Sequence, residues 1–106
     1  MNADRPMLYY LFQTGCSACR AQKPIVDRFE REHPEVRVVR LNADPTKRRA
    51  GEIRDDFPVS ALPAFGLRAP GRERDGRPLV TLREGMVEAP AELAEWCRVA
   101  ATRVSS

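Results

Sequence analysis

Two cysteines, Cys16 and Cys19, are the residues whose type and spacing point most directly to chemistry. They are separated by Ser17 and Ala18, and they stand where an apolar segment gives way to a helical pattern. A thiol at the start of a helix faces unpaired backbone N–H groups and the positive end of the helix dipole. Both favour the thiolate, which is the nucleophilic form of cysteine. The pair is therefore predicted to be a redox-active dithiol.

The expected exposure of the two thiols predicts a different role for each. Cys16 is expected to be outermost and to attack a target disulfide, whereas Cys19 lies one turn further into the helix. Cys19 would then resolve the mixed disulfide and release the reduced target. Because thiol–disulfide exchange runs in both directions, the sequence leaves open whether the pair reduces, oxidises or isomerises disulfides.

A zinc site is the first alternative, because the same spacing forms half of many zinc sites. The other half needs a second pair of ligands, and the remaining candidates are Cys97 and the single histidine, His33. These two do not form a closely spaced pair, and His33 is expected about five turns along the same helix. We therefore predict no metal and no cofactor. An inert structural pair is disfavoured by the exposed helix start.

Alternating strand-like and helix-like patterns predict the elements that hold the cysteine pair. Met7–Phe12 is continuously apolar or aromatic, which indicates a strand buried on both faces. The helix that follows contains Pro24, which is expected to kink it. A second helix is expected to begin with Asp44 as its cap and Pro45 at its first position. The predicted elements are strands at 7–12, 36–41, 64–68 and 79–83, and helices at 16–33, at 44–56 and from 90 onward.

The order of these elements predicts one α/β domain over residues 1–106. The first two strands should be parallel, with a right-handed crossover through the first helix. Residues 69–78 are rich in turn formers and charges, which predicts a hairpin loop between two antiparallel strands. Cys97 is predicted to be a buried structural cysteine on the last helix. The apolar stripe of that helix comprises Leu93, Trp96, Cys97, Ala100 and Val104.

The sequence resembles the thioredoxin superfamily from Met7 to about Ala100. The first feature is the Cys-Ser-Ala-Cys segment between a strand and a helix, and the second is Pro24, at the position of the family's kink proline. The third is the segment 59–65, which is similar to the one leading into the family's cis-proline strand, with Pro63 as the cis-proline. The resemblance implies a thioredoxin-like fold: a four-stranded mixed sheet, in the order βαβαββα, flanked by three helices.

The resemblance also implies a function, that of a protein-disulfide oxidoreductase. Its partners would be protein disulfides and a thiol-reducing electron donor such as a thioredoxin reductase. By likeness, Leu62 would contact the substrate backbone and Pro63 would shape the substrate groove. Gly15, Ser17 and Ala18 would complete the rim of the active site.

Several positions depart from the family pattern. Gly15 replaces a usual tryptophan, Tyr10 replaces a buried acid thought to help deprotonate the resolving cysteine, and Arg40 replaces a frequent lysine. Only six residues precede Met7, so the chain is closer to the minimal, glutaredoxin-sized form, although residues that would contact glutathione are not recognisable. These departures leave a second reading open: a binding module with a vestigial or regulatory dithiol. A metal-binding cysteine protein is a third.

Composition limits the cellular location and the classes of partner that we expect for this protein. The formal net charge is +3, with 42% hydrophobic and 31% charged residues, as in ordinary globular domains. No apolar run approaches the roughly 20 residues of a membrane span, and no signal-peptide core is visible, so a cytoplasmic protein without membrane contact is expected. Basic residues alternate with acidic ones, which indicates a solvated surface and no nucleic-acid partner.

Overall fold

The computed structural model describes residues 5–47, 49–74 and 77–105. Its elements follow the predicted order, and together they form an α/β domain with helices on both faces of one sheet. Their bounds are β1 (Met7–Phe12), α1 (Ser17–Glu32), β2 (Arg37–Asn42), α2 (Ala50–Asp56), β3 (Ala64–Arg74), β4 (Arg77–Glu84) and α3 (Pro90–Ser105). None of the helices in these ranges is both long enough and apolar enough to cross a membrane.

The sheet is mixed, with the strand order β2-β1-β3-β4. β1 is parallel to β2, as a crossover through α1 requires, and antiparallel to β3. β3 and β4 form an antiparallel hairpin. The predicted four-stranded mixed sheet with three helices is confirmed. β1 is central because its apolar side chains can be buried on both faces of the sheet.

Side chains of β1 alternate between two hydrophobic clusters, one on each face of the sheet. Leu8 and Tyr10 belong to the larger cluster, which lies beneath α1 and α3. Leu11 belongs to the smaller cluster on the α2 side, with Phe57 and Ala64. The larger cluster includes the predicted stripe residues Leu93, Cys97 and Ala100, with Trp96 packed against it. The side chain of Val104, also predicted for that stripe, lies outside the described residues.

The predicted start of the second helix is wrong. Asp44 caps a turn instead: its Oδ1 accepts hydrogen bonds from the N–H and the Oγ1 of Thr46, at 2.9 and 2.8 Å. Helix α2 begins only at Ala50 and has seven residues. Asp at a turn bonds the backbone two residues on, so its capping signal is the same for a turn as for a helix.

The predicted loop at 69–78 is also wrong, because the two strands continue through most of it. β3 extends to Arg74 and β4 begins at Arg77, so the hairpin is longer than the sequence predicts. The strand register shifts between Arg68 and Glu73, the interval that contains Pro70. An irregularity of this kind is where a strand tolerates proline. Pro70 and Gly71 therefore lie at an interruption within the hairpin rather than in a loop.

A buried glutamine connects α1 to the segment after β4. Gln22 is fully buried; its Nε2 donates to the Val87 carbonyl oxygen at 3.0 Å, and its Oε1 accepts from the Val87 N–H at 2.8 Å. The amide thus satisfies both polar groups of a buried backbone unit. The sequence places Gln22 within the apolar stripe of the helix, and a polar residue there is the one signal of this role.

Cys97 is buried in the larger cluster and is a free cysteine, which confirms the predicted burial. Burial raises the pKa of the Cys97 thiol to about 12. The thiol therefore stays protonated in the folded protein throughout the neutral and moderately alkaline range.

We expect Gln22→Leu to lower the free energy of unfolding by about 2–5 kcal/mol, because both Val87 backbone groups would stay buried without a partner. Urea unfolding measures the loss. Arg31→Leu, at an exposed position of the same helix, is the matched control and should change stability by less than about 0.5 kcal/mol. Equal effects of the two substitutions would show that the Gln22 bonds contribute nothing specific.

We expect stability to fall as the pH rises from 8 to 10, by up to about 1 kcal/mol per unit. The unfolded Cys97 thiol ionises near pH 8.5, whereas the folded thiol stays protonated until about pH 12. Alkaline conditions therefore stabilise the unfolded chain only. Urea unfolding of the oxidised protein measures the slope, which Cys97→Ala should reduce. An identical slope in Cys97→Ala would contradict this assignment.

Candidate active site

Cys16 occupies the N-cap position of α1. Its backbone is extended, with φ −85° and ψ 112°, and its Sγ accepts a hydrogen bond from the Cys19 N–H at 3.1 Å. Gly15 precedes it with φ +82°, a conformation that side chains disfavour, and this allows the sharp turn from β1 into the helix. The first turn of α1 contains no acidic residue. The sulfur of Cys16 therefore lies where the helix most favours a negative charge.

The loop before Cys16 is held by hydrogen bonds to its surroundings. The Cys16 N–H donates to the Gln13 carbonyl oxygen at 3.3 Å. The Asn42 side chain, at the end of β2, donates from Nδ2 to Thr14 Oγ1 at 3.0 Å. The cysteine pair is thus positioned by β1, β2 and α1 together.

The two cysteines are placed to form a disulfide. Their Sγ atoms lie 2.50 Å apart and their Cα atoms 5.2 Å apart. Cys19 is buried, whereas Cys16 is partly exposed. This difference agrees with the predicted order of exposure, in which Cys16 meets a partner first. Ser17 is exposed and Ala18 is partly exposed between them.

Tyr10 contacts the dithiol from the core side. Its hydroxyl donates a hydrogen bond to the Cys19 carbonyl oxygen at 2.8 Å, and its ring stacks with Phe12 and Phe65. Burial raises the pKa of Tyr10 to about 12. The phenol therefore stays neutral at physiological pH and acts as a hydrogen-bond donor, not as a base.

Arg40 lies on β2 in a network of ion pairs. It contacts Asp27 at 3.0 Å and Glu30 at 2.7 Å, and Lys23 contacts Asp27 at 2.9 Å. The hydrogen bond from Lys23 is the main reason that the pKa of Asp27 lies below its usual range. Burial opposes this shift, and the charges of Arg40, Lys23 and Arg31 add to it. Asp27 therefore remains ionised and offsets part of the positive charge here.

A cavity of about 350 Å³ opens beside the dithiol. Gly15 and Cys19 both line it, together with three cationic side chains, those of Arg20, Lys23 and Arg40. The sequence does not predict this cavity, because α1 and β2 contribute cations that are separated along the chain. The one signal is the basic residue directly after Cys19.

Pro63 lies at the same end of the sheet as the cysteine loop. The Leu62–Pro63 peptide bond is cis. Ala64, the next residue, pairs with Leu11 near the end of β1, and the Pro63 carbonyl oxygen accepts from the Gly85 N–H at 2.9 Å. Pro63 is fully buried and Leu62 is partly exposed.

Other chemistry-bearing residues lie away from the pair. Cys97 and His33 both line a second cavity, which Pro6 also borders, at the opposite end of β1 from Cys16. Among the described residues, no group of three or more His, Cys, Asp or Glu side chains is arranged to hold a metal ion. The arrangement near α1 is instead suited to reversible exchange between a dithiol and a disulfide.

Thioredoxin Asp f 28 of Aspergillus fumigatus is a relative in sequence, 28% identical over 79 residues. The match covers 74% of this chain and 65% of that protein, so the chain spans less than two thirds of its relative's length. No protein-family model matches the chain.

Solved thioredoxins have the same fold as this chain. The thioredoxin of Fasciola hepatica superposes with a TM-score of 0.67 at 22% identity, covering 92% of this chain and 82% of that protein. The short form of thioredoxin f from spinach chloroplast gives 0.69 at 17% identity, with 93% and 80% covered. The sheet order and the cysteine pair at the start of α1 agree with this likeness, and the chain has the thioredoxin fold.

Proposed function

We propose that this protein is a thiol–disulfide oxidoreductase that reduces protein disulfides through Cys16 and Cys19. The observation that carries the proposal is the hydrogen bond from the Cys19 N–H to the Sγ of Cys16, at 3.1 Å. A hydrogen bond donated to sulfur at a helix N-terminus stabilises the thiolate relative to the thiol. The relative and the solved structures described above are thioredoxins, which supports the same class of reaction.

The reaction would proceed in two exchange steps. The Cys16 thiolate attacks one sulfur of the target disulfide; a mixed disulfide forms, and the second target sulfur leaves as a thiolate that takes up a proton. The Cys19 thiol then loses its proton and attacks the Cys16 sulfur. This forms the Cys16–Cys19 disulfide and releases the first target sulfur as a thiol. Two electrons pass from the cysteine pair to the target, and of the two protons that the target gains, one comes from Cys19 and one from solvent.

Return to the dithiol requires an external reductant, for which we propose a thiol-based donor such as a thioredoxin reductase. The target would lie along the rim formed by Gly15, Ser17 and Ala18. Leu62 would offer backbone contacts to an extended target segment, and Pro63 would shape the groove beside it. Gly15 leaves this rim low, since no side chain projects there.

A binding module with a non-cycling dithiol is the second candidate, and the hydrogen bond of Tyr10 favours it. The neutral phenol is engaged with the Cys19 carbonyl oxygen and offers no base for the Cys19 thiol. A measured disulfide potential and turnover with a thioredoxin reductase distinguish the two candidates. A pair that never cycles between its two states would favour the module.

Removing either cysteine of the pair should abolish catalysis. We expect Cys16→Ser and Cys19→Ser to reduce insulin disulfides, with dithiothreitol as electron source, no faster than dithiothreitol alone. Cys97→Ser, the matched control, should keep most of the parent rate, since the second cavity is remote from the dithiol. Parent-like activity of Cys16→Ser would refute the proposal.

The three thiols of the reduced protein should differ in reactivity. At pH 7.5 we expect iodoacetamide to modify Cys16 at least a hundredfold faster than Cys97, since alkylation needs an accessible thiolate. Cys97 is buried, and the pKa of its thiol is raised to about 12. Mass spectrometry of timed samples measures both rates, and urea should make Cys97 reactive. Comparable rates in the folded protein would contradict the assigned roles.

A further inference from the structure

We propose that the cationic cavity beside the dithiol selects target disulfides with an acidic residue next to the attacked cysteine. This inference rests on the proposed function and adds a substrate class to it. The cation-lined cavity is the one of about 350 Å³ described above, and Arg20 is the residue that would contact the target carboxylate.

Arg20 lies close to Cys16 on the same helix. The Arg20 N–H donates to the Cys16 carbonyl oxygen at 3.1 Å, so Arg20 lies one helical turn from the attacking cysteine. Residues four apart are neighbours on one face of a helix. In the mixed disulfide, the target cysteine is bonded to Cys16. An extended Arg20 side chain can therefore reach the residue next to that target cysteine.

The side chain of Arg20 is free to bind a carboxylate of the target. Arg20 is exposed, and within residues 5–47, 49–74 and 77–105 its side chain has no hydrogen bond or ion pair. Lys23 and Arg40, by contrast, are both paired with Asp27. Arg20 is thus the lining cation whose charge the described part of the chain leaves uncompensated by direct contact. A guanidinium binds a carboxylate through two parallel hydrogen bonds.

Charge is distributed unevenly around the dithiol. None of the residues that line the cavity is acidic, and the Nη1 of Arg40 is closed to solvent without a hydrogen-bond partner among the described residues. On the other side of Pro63 lies a carboxylate: Glu84 is paired with Ala64 in the sheet, and its Oε1 accepts a hydrogen bond from Ser60 Oγ at 3.0 Å. A target segment would therefore be oriented with its negative residue toward α1.

The rim of the cavity is open at Gly15, which has no side chain. A Cβ built on Gly15 has no heavy atom within 4 Å, so the space at the edge of the cavity is open. An acidic side chain can enter from the Cys16 side without displacing a neighbour. The same opening keeps the interaction near solvent, and its strength should therefore depend on salt.

The test uses three peptides with one disulfide each, identical except for Glu, Gln or Lys beside the attacked cysteine. The measured quantity is kcat/KM for each peptide at low and high ionic strength. For the parent at low salt we expect the Glu peptide to be reduced about two- to fivefold faster than the Lys peptide, as for one exposed charge pair. The ratio should shrink at high salt.

Variants at position 20 assign the preference to Arg20. The Glu-to-Lys ratio should approach one in Arg20→Gln and invert in Arg20→Glu. Arg31→Gln, near the far end of the same helix, is the matched control and should keep the parent ratio. Because the readout is a ratio between peptides, a general loss of activity in a variant does not change it.

The outcomes separate this inference from the function on which it rests. Equal rates for the three peptides with the parent protein, or a parent-like ratio in Arg20→Gln, would overturn the subsite and leave the oxidoreductase proposal standing. If the protein reduces none of the peptides faster than dithiothreitol alone does, the proposed function fails and the subsite with it.

Discussion

The start of α1 is the constraint on which the site depends. The backbone N–H of Cys19 is left without a carbonyl partner by the geometry of a helix N-terminus, and the sulfur of Cys16 takes that place. The same atom is therefore a structural cap and, in the proposed function, the nucleophile. Three features place Cys16 at this position: the left-handed backbone of Gly15, strand β1, and the hydrogen bond from Asn42 to Thr14.

Three cationic side chains and no carboxylate line the cavity beside Cys19. Tyr10 fills the position of the acid with a neutral phenol, while Arg20 and Arg40 line the space beside Cys19. Positive charge stabilises a thiolate without accepting its proton. In the proposed reaction the Cys19 proton would therefore pass to solvent through the open cavity.

Sequence patterns predict this fold well where local and tertiary preferences agree. The apolar run Met7–Phe12 and the cysteine pair after it indicate the central strand and the helix start, and both lie where predicted. The patterns fail where one local signal serves two structures, as at Asp44, or where pairing across a hairpin overrides turn formers, as near Pro70. The cavity is not predictable from spacing, since Arg20 and Arg40 meet only through the packing of α1 beside β2.

The hydrogen bonds between Gln22 and Val87 can form only after most of the chain has been synthesised. The two residues lie 65 positions apart, and each satisfies the other's buried polar groups. During synthesis from the N-terminus, the strand and helix that carry the cysteines emerge long before Val87 does. Until then the native partner of the Gln22 amide is absent, and α1 cannot make this contact with the segment after β4. The dithiol is thus encoded early in the chain, and its native setting is completed late.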